Sequence, residues 1–224
     1  MGRAAFTEHD LREMPAYAIG EAAAYLRLPK STLRAWLLGQ RGFRSVIDIA
    51  DPRDRKMSFI NLVEAFVLGG IRREHSIPLP KVRKAVAYLR RTFRTRRPLA
   101  EEQFETDGVD LFVERFGALI GATQEGQLQM REIIHNRLKR VLRDPKGIPQ
   151  KIVLFPARKP SEKGDIVIDP RLSFGRPVID GYGLRTAILA ERFYAGETVE
   201  ELASDYGVPS EAIQNALRCE PRAA

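Results

Sequence analysis

Lys30, Ser31, Thr32 and Arg34, in the stretch "LPKSTLRAWLLG", carry side chains suited to an anionic polymer. Arg and Lys neutralise phosphates or bond guanine edges, and Ser and Thr hydroxyls serve either purpose. Arg53, Arg55 and Lys56 form a second basic group in "DPRDRK". Covalent and metal chemistry find less support. His9, His75 and His135 are isolated, and the single cysteine, Cys219, leaves no cysteine metal cluster and no disulfide. The expectation is therefore no catalytic residue, no metal site, no cofactor and a reducing, cytoplasmic compartment. "GRPVIDGYGLRT" (175–186) offers only Gly-x-Gly of a dinucleotide fingerprint, with Thr186 at the third glycine's place. Its glycines read instead as turn residues with positive φ between short strands and a helix.

The elements that position the basic residues follow from apolar spacing. Ile19, Ala22, Ala23 and Leu26 make one helical stripe, Leu28 and Pro29 interrupt it, and Leu33, Trp36 and Leu37 make a second. Small Ala23 at the crossing allows the close approach of a helix-turn-helix, whose second helix exposes Lys30, Ser31, Thr32, Arg34 and Ala35. Charge is unevenly divided. Residues 1–97 hold 20 Lys+Arg against 9 Asp+Glu, net +11, and residues 98–224 are net −3. A basic module joined to a part with another job fits this asymmetry. No apolar run reaches the roughly 20 residues that cross a bilayer, so no membrane association is expected.

These residues resemble the DNA-binding head of MerR-type regulators. The resemblance rests on Ile19-Gly20-Glu21, Ala22-Ala23, Thr32-Leu33-Arg34 and Trp36 at the family's spacing. It implies a wing, with short strands at Val46–Ile49 and Met57–Phe59 around the turn bearing Arg53, Arg55 and Lys56. It also implies a second helix pair, with Leu62, Ala65, Phe66 and Leu68, then Val82, Val86 and Leu89, facing inward. The chain has Arg27 where the family commonly has glycine, and Pro29 where a serine N-cap is usual.

After the basic "RTFRTRRPL", which reads as a linker, the pattern changes. Asp107-Gly108 between Phe104, Thr106 and Val109, Leu111, Val113 reads as a hairpin. Met130, Ile133, Ile134, Leu138 and Val141 lie on one helical face, and "KIVLF" is an apolar strand. Short strands follow at 166–168 and 177–179. Three helices come next: "TAILAERFYAG", one opened by the capping box Thr198–Glu201, and one with Ser210 at its N-cap. Exposed Glu197, Glu200, Glu201, Asp205 and Glu211 make this last unit a poor DNA reader and a better protein-binding surface.

Residues 165–219 resemble a small domain common in bacterial antitoxins, catalogued as a family of unknown function. Asp169-Pro170, the run Gly175 to Gly181, Gly196 to Glu201 and Ala216-Leu217 carry that resemblance. With the head, the chain looks like a two-domain VapB-type antitoxin, whose partner in such modules is a PIN-like ribonuclease. The expected fold is mainly α with small β elements: a MerR-like winged helix-turn-helix (1–97), an α+β connector or partner-binding region (98–164), and the antitoxin-family domain (165–224). The expected function is to neutralise the toxin and to bind the chain's own operator DNA as an autorepressor. Because PIN-like ribonucleases hold Mg²⁺ with clustered carboxylates, a basic side chain can take the metal's place. Arg158 and Lys159 in the Pro-flanked "FPARKPSEKG" are the candidates, a solvated linker being the competing reading. A homodimer is expected, built either by the C-terminal domain, through pairing of the short strands of two copies, or by the middle helix, the former being preferred. The alternative function is a free-standing MerR-like regulator whose C-terminal half senses a small molecule.

Overall fold

The computed structural model describes residues 8–40, 42–75, 79–102, 104–157 and 163–220. It is mainly helical with two small antiparallel sheets. In chain order the elements are α1 (Glu8–Glu13), β1 (Tyr17–Ala18), α2 (Ile19–Tyr25), α3 (Lys30–Leu38), β2 (Lys56–Met57), α4 (Phe59–His75) and α5 (Leu79–Thr92). Then come α6 (Val109–Ile120), α7 (Gln124–Leu138), β3 (Val141–Arg143), β4 (Pro149–Phe155), β5 (Ile166–Ile168), β6 (Val178–Ile179), β7 (Leu184–Arg185), α8 (Thr186–Tyr194), α9 (Val199–Tyr206) and α10 (Ser210–Cys219). Among the described residues no helix is long and apolar enough to cross a membrane.

The inward set of α4 and α5 is as its spacing dictates: Leu62, Ala65, Phe66, Leu68, Val82, Val86 and Leu89 are all buried. The wing differs from expectation. Val46–Ile49 form no strand, because the amides of Val46 and Ile47 donate to the Trp36 carbonyl at 2.7 and 3.0 Å. β2 pairs instead with β1, Tyr17 opposite Met57, and Phe59 already belongs to α4. The basic stretch after α5 is no free linker either. Arg97 reaches the Glu13 carboxylate at 2.5 Å, and Leu99 and Ala100 are buried.

No hairpin forms around Asp107-Gly108. Phe104–Gly108 is one π-helical turn that runs into α6. Val109, Phe112, Val113 and Phe116 stand at i, i+3, i+4 and i+7, a helical face that is wholly buried. Gly108 is there for closeness, since a Cβ would meet the rings of Phe104 and Phe93. Phe112 and Phe116 stack with centroids 5.5 Å apart. In α7, Met130, Ile134 and Leu138 are buried as expected, Ile133 is half-buried, and Val141 has left the helix for β3.

The second sheet has the order β3-β4-β5-β6-β7, so strands from both sides of residue 164 share one ladder. Ile152 opposes Ile168, and Ile166 opposes Ile179. Because side chains alternate along a strand, Val153, Val167 and Val178 line up on the other face as a small separate cluster. The short strands 166–168 and 178–179, expected to need a second copy, thus find their partners within the chain: β5 pairs with β4 and β6, and β6 with β5 and β7. That removes the reason for placing a dimer contact there. The capping box is present, the Thr198 amide donating to Glu201 Oε2 at 2.8 Å, whereas the N-cap of α10 is Pro209, with Ser210 its first helical residue.

Candidate nucleic-acid interface and its junction with the C-terminal helices

α2 ends in the hydrogen-bond pattern that a left-handed residue closes. The Leu28 amide donates to the Ala23 carbonyl at 2.8 Å and the Arg27 amide to the Ala24 carbonyl at 2.9 Å, with Arg27 at φ 52°. Arg27 therefore adopts the conformation that glycine would supply. Pro29, extended at φ −57°, ψ 131°, caps α3 in place of a side-chain cap. It suits that position because its missing N–H is one the helix would leave unbonded. Leu28 packs onto Gly69 of α4, and Ala23, Leu33 and Trp36 are buried where α2 and α3 cross.

Lys30, Ser31 and Arg34 are exposed on α3, while Thr32 and Ala35, expected beside them, are buried. Their inward turn follows from helical spacing, which brings each close to the Leu33–Trp36 side. The Lys30 ammonium lies beside Gly20 at the start of α2. Arg53, Arg55 and Lys56 are exposed on a turn closed by mutual Asp51–Lys56 backbone bonds of 3.0 Å, with Asp51 Oδ1 accepting from the amides of Arg53 and Asp54. Asn61 on α4 fastens the segment. Its Oδ1 accepts from the Ala50 and Ser58 amides, and its Nδ2 donates to the Asp48 carbonyl.

Glu64, one turn further along α4, is fully buried, and among the described residues neither carboxylate oxygen has a hydrogen-bond partner within 3.5 Å, Asn61 being the polar side chain beside it. Burial pushes its pKa up to about 8 against the pull of Arg97 and Arg90, with Asp48 adding to the rise.

The head is joined to the "GRPVI" segment through contacts that the sequence did not indicate. Gly175, at φ 75°, lies under the Tyr17 hydroxyl. Arg176 stands over the Tyr17 ring at 5.6 Å and pairs with Glu21 at 2.5 Å. Glu21 also accepts from the Tyr25 hydroxyl at 2.9 Å. The presence of Gly-Arg-Pro marks a turn locally, but no local signal names Tyr17 as its partner.

α9 and α10 repeat the α2–α3 turn. The Val208 amide donates to the Ala203 carbonyl at 3.0 Å, Gly207 has φ 61°, and Pro209 caps α10 at φ −55°, ψ 136°. The charge differs. Glu200, Glu201, Asp205 and Glu211 are exposed, and Arg192 is engaged by Glu197 and Asp205. A cavity of about 800 Å³ opens between the α2–α3 turn and helices α8 and α10, lined by Arg27, Phe193, Tyr194, Leu217, Arg218 and Glu220 among others. Cys219 is buried, which pushes its thiol up, away from reactive thiolate. Among the described residues no group of three His, Cys, Asp or Glu is placed to hold a metal.

Arg158 and Lys159 lie outside the described residues. The connection carrying them leaves β4 and enters β5, and the Ala157 amide donates to Asp165 Oδ1 at 2.6 Å across it.

Residues 166–218 match the family described as "Protein of unknown function (DUF433)". Nearly the whole chain is similar to a protein of Mycobacterium tuberculosis named "Putative antitoxin VapB45". The identity is 29% over 238 residues, covering 94% of this chain and 96% of that relative. "Uncharacterized protein Rv2308" of the same organism is 24% identical, covering 96% and 94%. The crystal structure of Rv2018 from Mycobacterium tuberculosis superposes with a TM-score of 0.71 at 28% identity, over 91% of this chain and 98% of that one. Both parts of the chain, head and C-terminal unit, thus recur together in one relative.

Proposed function

We propose that the chain is the antitoxin of a toxin–antitoxin module. It binds and neutralises a PIN-like ribonuclease and, as a homodimer, binds its own operator DNA and represses the operon. The observation that carries this reading is the similarity of 94% of the chain to the relative named as an antitoxin. The DNA half draws support from a net +11 head in which Lys30, Ser31 and Arg34 on α3, and Arg53, Arg55 and Lys56 on the Asp51 turn, all face solvent. A two-fold dimer would present two such heads to paired half-sites. For the toxin, Arg158 or Lys159 enters the carboxylate cluster that holds Mg²⁺, and the acidic surface of α9 and α10 is a separate docking face.

The test co-purifies the full-length chain with the product of the adjacent reading frame and follows RNA cleavage. The wild type abolishes cleavage, while Arg158→Ala with Lys159→Ala restores it and leaves the complex partly intact. A wild-type chain that neither binds nor inhibits that product overturns the antitoxin reading.

One observation favours a second reading. The 800 Å³ cavity is bounded by Arg27 of the head's own turn and by residues of α8 and α10. A small molecule held there would couple the C-terminal helices to the DNA-binding head, as in a free-standing MerR-like sensor.

A further inference from the structure

The turn joining β5 to β6 holds an aromatic side chain out into solvent. Phe174 is 94% exposed, and it and Ser173 have φ of 55° and 46°. Left-handed backbone is disfavoured for residues with a side chain, and an exposed ring gains nothing from burial in the monomer. Neighbouring bonds impose the shape. The Arg171 amide donates to Asp169 Oδ1, the Leu172 amide to the Asp169 carbonyl, and the Gly175 amide to the Leu172 carbonyl.

The position of the turn suggests what the ring is for. Gly175 lies under Tyr17 and Arg176 pairs with Glu21, so the turn is anchored to the first turn of α2. Lys30, the first residue of α3, lies beside Gly20 at that same end. One residue, Gly175, lies between Phe174 and Arg176, so at most about 7 Å of chain separates them. Phe174 therefore stands, exposed, on a turn anchored close to the helix ends that the head would turn toward a duplex.

We propose that the 171–176 turn is a second DNA contact, in which Phe174 enters the minor groove beside the major groove occupied by α3 and wedges a base step. This rests on the DNA-binding reading above. Apolar wedges of this kind partly unstack a base step and kink the duplex. Asp169 and Glu21 are each engaged by an arginine of the turn, so neither presents an unpaired negative charge to phosphates. The acidic groups suited to a protein partner belong to α9 and α10 instead.

The test uses the full-length protein and the duplex immediately upstream of its coding sequence, with 2-aminopurine scanned through the steps and a fluorophore pair at the ends. Wild type raises 2-aminopurine emission at one or two steps and shortens the end-to-end distance. Phe174→Ala weakens binding about 5- to 30-fold and loses both signals; Phe174→Leu retains them in part. Arg55→Ala weakens binding but keeps the signals. The proposal is overturned if Phe174→Ala matches wild type in affinity and both signals. It is equally overturned if that variant alters self-association or toxin binding while its DNA signals persist, which would assign the turn to a protein interface. A wild-type chain that binds no duplex overturns the DNA reading itself, before any variant is compared.

Discussion

The Tyr17 hydroxyl occupies the place where a side chain at Gly175 would stand, and that glycine has φ 75°. Two demands therefore meet at one residue, absent bulk and left-handed backbone, in a contact that binds the head to the β5–β6 turn. Gly175→Ala should destabilise the chain by about 2–4 kcal/mol, from overpacking and backbone strain together. Urea unfolding checks it, and Tyr17→Phe combined with Gly175→Ala should recover part of the loss by removing the clashing oxygen.

Arg27 gives a contrasting case, because its left-handed conformation is met in open surroundings. Arg27→Gly should stay within about 1 kcal/mol of wild type, lost stacking over Phe155 being offset by relief of strain. Arg27→Val should cost about 1–2 kcal/mol more than the glycine variant, since β-branching is least tolerated at positive φ. Equal melting temperatures for the two variants would contradict this account of the turn.

Glu64 ties stability to pH. Its folded pKa of about 8 lies above its ordinary 4.5, so its protonated form suits the core and the charged form suits the unfolded chain. The contribution is fully present below about pH 4.5 and is lost as pH rises toward about 8. Over that window the loss is on the order of 3–5 kcal/mol. Glu64→Gln should flatten the profile. Chemical denaturation at a series of pH values, with Arg90, Arg97, Asp48 and Asn61 unchanged around the site, provides the measurement.

On the chain's own upstream DNA, Arg34→Ala should cost about 1–3 kcal/mol if the guanidinium reads a base, with relaxed preference at one position. Arg55→Ala should weaken binding to all sequences alike and reduce the salt slope by about one. Titrations across a salt series separate the two, and identical slopes for wild type and Arg55→Ala would remove Arg55 from the interface.

Helical periodicity made α2, α3, α4 and α5 legible, because an apolar stripe at 3.6-residue spacing is written in local order. The same holds for the Thr198–Glu201 capping box and for Ile166–Ile168. The stretch after Asp107-Gly108 was ambiguous for a physical reason. Val109, Leu111 and Val113 alternate as a strand would, while Val109, Phe112, Val113 and Phe116 share a helical face, and the rings of Phe93 and Phe104 around Gly108 decide for the helix. Thr32 shows the same limit at a functional position. Its type suits a DNA contact, yet the packing of α3 buries it.

By itself, then, the sequence determined the helical segments α2 to α5 and α7 to α10, where their apolar faces lie, and which half is basic, since these depend on neighbours a few residues apart and on composition. Only the tertiary structure decided that Lys56–Met57 pairs with Tyr17–Ala18, that β4 joins β5 in one sheet, and that Arg176 pairs with Glu21. Those contacts link residues far apart in the chain. Their geometry depends on the simultaneous packing of whole elements, which no short stretch of sequence encodes.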